Sequence, residues 1–194
     1  MRSLILSGAV LFAATTGALA QSPDPVGEWL VEDGTARIKV VSCPQAQGQP
    51  PVLWGVIWAE TKPGVDSSNP DPSQKNRPLL GAPILINMKQ TQANKWEGKI
   101  YDANGGSLYD SNISLTRNDM LAVRGCMGVI FCGGQDWKRV TGTNTPPIPQ
   151  QATLVPQAKG GAMASQTKGM SKGAAAGPAA DPICSNVAGL VPRT

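Results

Sequence analysis

The sequence predicts an all-β domain followed by a long tail without a core. Between residues 27 and 140, short apolar segments recur at intervals of about ten residues, each bounded by Gly, Pro, Asn or Asp. All the tryptophans, Trp29, Trp54, Trp58, Trp96 and Trp137, fall within that stretch. After Thr141 no aromatic residue occurs, and an Ala/Gly/Ser/Lys-rich run fills 158–180. Such a run cannot bury enough apolar surface to offset a backbone ordering entropy of about 1–2 kcal/mol per residue.

Strands are expected at 28–31, 36–42, 52–60, 95–101, 107–115, 120–126, 129–131 and 135–140. The turns between them carry Asp33-Gly34, Asn104-Gly105-Gly106, Arg117-Asn118-Asp119 and Gly133-Gly134. Seven or eight short strands in about 115 residues suit a closed barrel or a sandwich. Closure would remove the exposed edges that invite aggregation. The long break at 61–78 holds Pro63, Pro70, Pro72 and Pro78 and is no regular strand. The apolar 79–88 stretch after it is expected to form a helical turn or an irregular strand capping one end of the domain.

The first twenty residues read as a secretory leader. Arg2 is its positive start, 4–14 its apolar run, and Ala18-Leu19-Ala20 the small residues before a cut ahead of Gln21. No later segment is apolar enough to cross a membrane. The expected organisation is thus a leader at 1–20, a β domain at 21–141 and a linker with a disordered tail at 142–194. Ile183, Cys184 and 187–191 form an apolar island near the end of that tail, available to dock on the domain or to bind a partner.

Charge separates along the same boundary. From Gln21 to Thr141 twelve Lys and Arg balance twelve Asp and Glu, so the net charge of +4 comes from the leader and the tail. Four scattered basic residues in the tail could touch an anionic envelope surface but are no nucleic-acid footprint. In an oxidising compartment the four cysteines are disulfide candidates first. Cys126 and Cys132, six apart across an expected tight connection, are the best pair. Cys43 and Cys184 remain; either they pair and pin the tail to the domain, or Cys43 stays free and Cys184 bridges to another chain.

A series of short motifs resembles one bacterial family. They are Gly27-x-Trp29, Asn69-Pro70-Asp71-Pro72, Arg77-Pro78-Leu79-x-Gly81, Trp96-x-Gly98-Lys99-Ile100-Tyr101-Asp102, Leu121-x-Val123-Arg124-Gly125-Cys126 and Cys132-Gly133-Gly134-Gln135-x-Trp137-x-Arg139-Val140. The family is domain of unknown function 2147, and the resemblance covers about residues 26–140. It implies an exported protein with a small antiparallel barrel of about eight strands, similar to lipocalins and fatty-acid-binding proteins, and it implies no activity. Many relatives carry Cys where Trp54 and Leu80 stand, so disulfides at those positions are ruled out here.

The residues offer little catalytic chemistry. No histidine occurs, which removes the commonest general base and any Ser-His or Cys-His pair. No catalytic activity and no cofactor are expected. Gly27, Trp29 and Arg139 resemble the lipocalin closure, in which a last-strand guanidinium lies over a first-strand indole. Trp54 and Trp58 share one strand face with Val56, but the opposite face (Leu53, Gly55, Ile57, Ala59) is apolar too. Alternation therefore leaves open whether the two indoles line a cavity or sit in plain core. Arg124 is either an outward solvated side chain or a buried cation needing a protein or ligand carboxylate. Asp66, Asn69 and Asp71 could offer oxygens to a metal, though Pro-flanked Asn and Asp more often cap turns.

Two functions follow. The first is a periplasmic or secreted barrel binding a small apolar, amphipathic or lipid-like molecule, with Trp54, Trp58, Tyr109 and Arg124 as candidate contacts. The second is an envelope interaction module acting through its surface and basic tail.

Overall fold

The structure, a computed structural model, describes residues 24–128, 131–142, 150–151 and 181–191. The leader at 1–20 and most of the 142–194 tail lie outside the described residues. Eight strands run up and down in sequence order: β1 (Gly27–Leu30), β2 (Ala36–Cys43), β3 (Val52–Glu60), β4 (Pro83–Gln92), β5 (Lys95–Asp102), β6 (Ser107–Arg117), β7 (Met120–Met127) and β8 (Phe131–Arg139). Each pairs antiparallel with the next, and β1 pairs with both β2 and β8, so the sheet closes into a barrel.

Two expectations need correction. Of the two forms expected for the 79–88 stretch the irregular strand is the one found, in the barrel wall rather than over its end. It contributes β4, a ladder strand whose irregularity is confined to bulges, one of them at Asn87 with a left-handed φ of 52°. The expected strands 129–131 and 135–140 are one strand, β8, with Gly133 and Gly134 inside it rather than in a turn. The reason is close approach. A Cβ on Gly134 would lie 2.2 Å from the Val123 carbonyl oxygen and 2.5 Å from Cδ of Arg124. Only glycine lets β7 and the Arg124 side chain come so near.

Side chains pointing into the barrel form the main core: Trp29, Ile38, Val40, Leu53, Ile57, Leu85, Met88, Trp96, Ile113, Leu115, Leu121, Val123 and Trp137. On β3 the inward face is Leu53, Gly55 and Ile57: Gly55 and Ile57 pair with the inward Val40 and Ile38 of β2, and Leu53 belongs to the same core.

The seam is short. Only Trp29↔Arg139 and Leu30↔Lys138 pair across β1 and β8. Arg139 reinforces it. Its guanidinium carbon sits 4.2 Å from the centre of the Trp29 ring. It donates to the carbonyls of Asn118 (2.7 Å), Val26 (2.8 Å) and Asp24 (2.7 Å), joining β1, the segment before it and the β6–β7 turn. Trp29 is fully buried and donates its indole N–H to the Pro25 carbonyl at 2.8 Å. Gly27 has φ of 136°, and a Cβ there would lie 2.8 Å from Nη1 of Arg139. The three closure residues read from the sequence thus meet at one end of the barrel.

A second, smaller core lies on the outside. Pro182–Asn186 form α1, followed by a 3₁₀ turn at Val187–Leu190, with Asp181 capping α1 through the Ile183 N–H at 2.9 Å. Ile183 and Val187 are buried against Val41, Val52, Trp54, Val56 and Tyr101. The apolar island docks on the barrel wall, and Gln150–Gln151 (β9) pair with the end of β3. Cys43–Cys184 is a disulfide that holds α1 in place, and Cys126–Cys132 joins facing residues of β7 and β8. In the chain-entropy view the 141-residue separation makes the first bridge worth about 5 kcal/mol and the 6-residue one much less.

Arg139→Met keeps the apolar stem but removes one cation–π contact and three charge-assisted hydrogen bonds. Urea unfolding of this variant is expected to show a loss of about 2–4 kcal/mol. Hydrogen exchange should rise first in β1 and β8; unchanged protection there would show that the seam does not need this side chain.

Candidate ligand-binding site

The barrel has a closed end and an open one. The Trp29–Arg139 pair and the β6–β7 turn lie at the closed end. At the other end the β1–β2 turn, the long 61–82 loop, the β5–β6 turn and the start of β8 surround a cavity of about 760 Å³. Its deeper wall is apolar: Ile38 from β2, Ile57 from β3, Ile100 from β5, Val123 from β7 and Trp137 from β8. Tyr109 and Gln135 add polar groups, and Gln135 accepts the Trp137 indole N–H at 2.9 Å. Gly125 and Gly133 pair directly across β7 and β8 on this wall. Nothing lies within 4 Å of where a Gly133 Cβ would stand, so the missing side chain leaves open space.

One acidic residue enters the cavity because of a bulge. Register shifts between Arg37 and Ile38 on β2, so Ile38 pairs with Ile57 but Ala36 pairs with Glu60. Partners in an antiparallel ladder share a face. Glu60 therefore points the same way as Ile57, where plain alternation would place Ala59. It is 7% exposed, and its carboxylate accepts one hydrogen bond, from the Gly64 N–H at 3.2 Å. Burial pushes the Glu60 carboxyl above its ordinary range, and the Gly64 N–H pulls partly the other way.

The long loop over this end is pinned by a buried carboxylate. Asp66 is 0% exposed. Its Oδ1 accepts the Tyr101 hydroxyl at 2.6 Å, and its Oδ2 accepts Asn69 Nδ2 at 2.7 Å and Arg77 Nε at 2.9 Å. Arg77 Nη2 lies 2.7 Å away as well. Arg77 also donates to Gln74 Oε1 at 2.7 Å and to the Leu190 carbonyl, which links the loop to the C-terminal turn. Burial, helped by the acceptor Asp66, pushes the Tyr101 phenol well up, so it stays a donor. Asn69 accepts the Asp71 N–H and Asp71 accepts the Ser73 N–H, each at 2.9 Å, so these oxygens cap turns. The loop also lies on the β5–β6 turn, where a Cβ on Gly106 would fall 1.9 Å from the Ser68 carbonyl oxygen.

Of the four residues singled out as ligand contacts, Tyr109 alone lines the cavity. Trp54 and Trp58 lie on the outer face of β3. Trp54 is covered by the C-terminal segment, and Trp58 has the Lys39 ammonium 4.3 Å above its ring. That face is apolar because a distant part of the chain packs on it. Arg124 points outward as well. It pairs with Asp136 at 2.8 Å and donates to the Gln135 carbonyl at 2.8 Å, so it faces no guest. Its strand carried a signal: with a charge on the 122/124 face, Leu121 and Val123 had to be the inner one. Sequence reasoning passed over Ile57, Trp137 and Gly133 as cavity residues. Glu60 gave no signal at all, since a bulge is not written in alternation.

Comparisons with known proteins agree with this geometry. The family described as "Uncharacterized protein conserved in bacteria (DUF2147)" matches residues 27–139, and the chain belongs to it. Among solved structures, the chain is similar to protein HP1028 from the human pathogen Helicobacter pylori, described as belonging to the lipocalin family. The TM-score is 0.52 at 16% identity, over 62% of this chain and 85% of that one, a likeness of fold. A search of curated proteins finds no match. The described residues hold two disulfides, and no helix among them is long and apolar enough to cross a membrane.

Replacing Cys184 by Ser is expected to free α1 and bare the outer indoles. Acrylamide should then quench tryptophan fluorescence more strongly, and Trp54→Phe in the same background should remove much of the gain. Equal quenching with and without the bridge would show that packing of Ile183 and Val187 suffices.

Proposed function

We propose that this DUF2147 member is a periplasmic binding barrel that holds a small molecule with an apolar body in its open end, without acting on it chemically. The carrying observation is the cavity of about 760 Å³ with an apolar wall and a few convergent polar groups. Ligand pockets commonly span about 300–1,000 Å³ with this kind of lining, and a barrel of eight strands has room for one small guest. Fold likeness alone would be a weak warrant; the interior itself supplies the argument. The lack of any histidine supports binding over catalysis, and the leader-like start together with the disulfides supports the periplasm.

The interaction-module reading keeps the barrel surface and the basic tail, but not the apolar island. The apolar island that would have met a partner is packed on the barrel's own outer wall.

Native mass spectrometry of the protein extracted gently from cell envelopes is expected to show a co-purified small molecule. Gly133→Phe places a ring in the open space of the wall and should abolish that extra mass. Its unfolding free energy should stay within about 0.5 kcal/mol of the parent. Bare polypeptide mass in the parent, with no melting shift from any added apolar compound, would refute the binding reading.

A further inference from the structure

We infer that the cavity selects a guest whose apolar body ends in a positively charged head, and that Glu60 is the residue that meets that head. This rests on the binding reading above and adds the chemical class of the guest.

The argument starts from how the chain treats its two most buried carboxylates. Asp66, at 0% exposure, is surrounded by the Tyr101 hydroxyl, the Asn69 amide and two nitrogens of Arg77. Glu60, at 7%, has one backbone N–H at 3.2 Å. Among the described residues no Lys or Arg forms an ion pair with it, whereas Glu28, Glu97, Asp110, Asp119, Asp136 and Asp181 each have one. Removing a charge from water without a partner is costly, and buried charges are normally matched. Glu60 is held inward by a specific register shift, at the wall of a cavity large enough for a guest. The matching cation is therefore one that arrives with the guest.

The surroundings point the same way. Asp33 and Asp102 also border the cavity, against the single base Lys62 among the described lining residues. Tyr109 and Trp137 line the same cavity, and an aromatic ring attracts a cation over its face by about 0.5–2 kcal/mol. A fatty-acid carboxylate would instead meet like charge, and the arginine that might have received it, Arg124, is on the outside with Asp136.

Three probes of equal chain length separate the possibilities: decyltrimethylammonium, decanol and decanoate. Each is titrated into the full chain below its aggregation concentration, with tryptophan fluorescence and calorimetry as readouts. Decyltrimethylammonium is expected to bind at least ~10-fold more tightly than decanol, with decanoate weakest. Glu60→Gln, which keeps the shape and can still accept the Gly64 N–H, should bring the cation down to decanol's affinity and leave decanol unchanged. Gly133→Phe should remove all three. The melting temperature of ligand-free Glu60→Gln should match or exceed the parent's at neutral pH, because the variant removes an unmatched buried charge. Decanoate binding as tightly as the cation, or a cation affinity indifferent to Glu60→Gln, would overturn the charged-head inference while Gly133-sensitive decanol binding keeps the cavity reading. Failure of all three probes to bind would remove both.

Discussion

The barrel depends on a seam only two residue pairs long. Every other strand junction in the closed sheet is longer, so β1 and β8 meet where the hydrogen-bonded ladder is weakest. Arg139 compensates by stacking on Trp29 and gripping three carbonyls, two from the segment before β1 and one from the β6–β7 turn. A planar guanidinium suits this, because its fixed fork of donors can satisfy several acceptors while its face lies on a ring. Burial lowers the readiness of Arg139 to carry its charge, which reflects how far it is withdrawn from water. With the seam shut at this end, the opposite end can stay open, and the cavity lies there.

The open end has its own support. Asp66 ties the long loop to β5 through Tyr101 and to the C-terminal turn through Arg77. Ion pairing of this kind gives little net stability against an apolar alternative, but losing one partner is severe. The arrangement fixes where a proline-rich loop sits without needing regular structure within it. One charge, well matched, holds the rim of the cavity; another, unmatched, lies within the wall.

The closure and the six-residue disulfide were legible because both are local or terminal. Gly27, Trp29 and Arg139 could be placed together through their resemblance to the lipocalin closure, in which the first and last strands of the barrel meet. Cys126 and Cys132 face each other across one connection. The inner face of β3 was not legible. Both of its faces are apolar, because Trp54 and Val56 pack under Ile183 and Val187 from more than a hundred residues away. Periodicity reports burial, and a wall buried from both sides has no outside to read. β8 was split in two because paired glycines signal turns when nothing else is known, whereas here Gly134 admits the Val123 carbonyl and the Arg124 stem while Gly133 faces the cavity. Glu60 was invisible for a third reason: the bulge that turns it inward belongs to pairing between two strands rather than to either sequence.

The covered outer wall has a bearing on how the chain matures. All eight barrel strands precede α1, and the bridge that fastens α1 begins at Cys43 on β2 and waits for Cys184. A chain emerging from its N-terminal end can curl shut while Trp54 and its neighbours still face water. Between closure and sealing there is thus a nascent form with a bare aromatic flank, open to holdases or to self-association. Docking of α1, with Ile183 and Val187 on the wall and Cys184 bridged to Cys43, ends that interval.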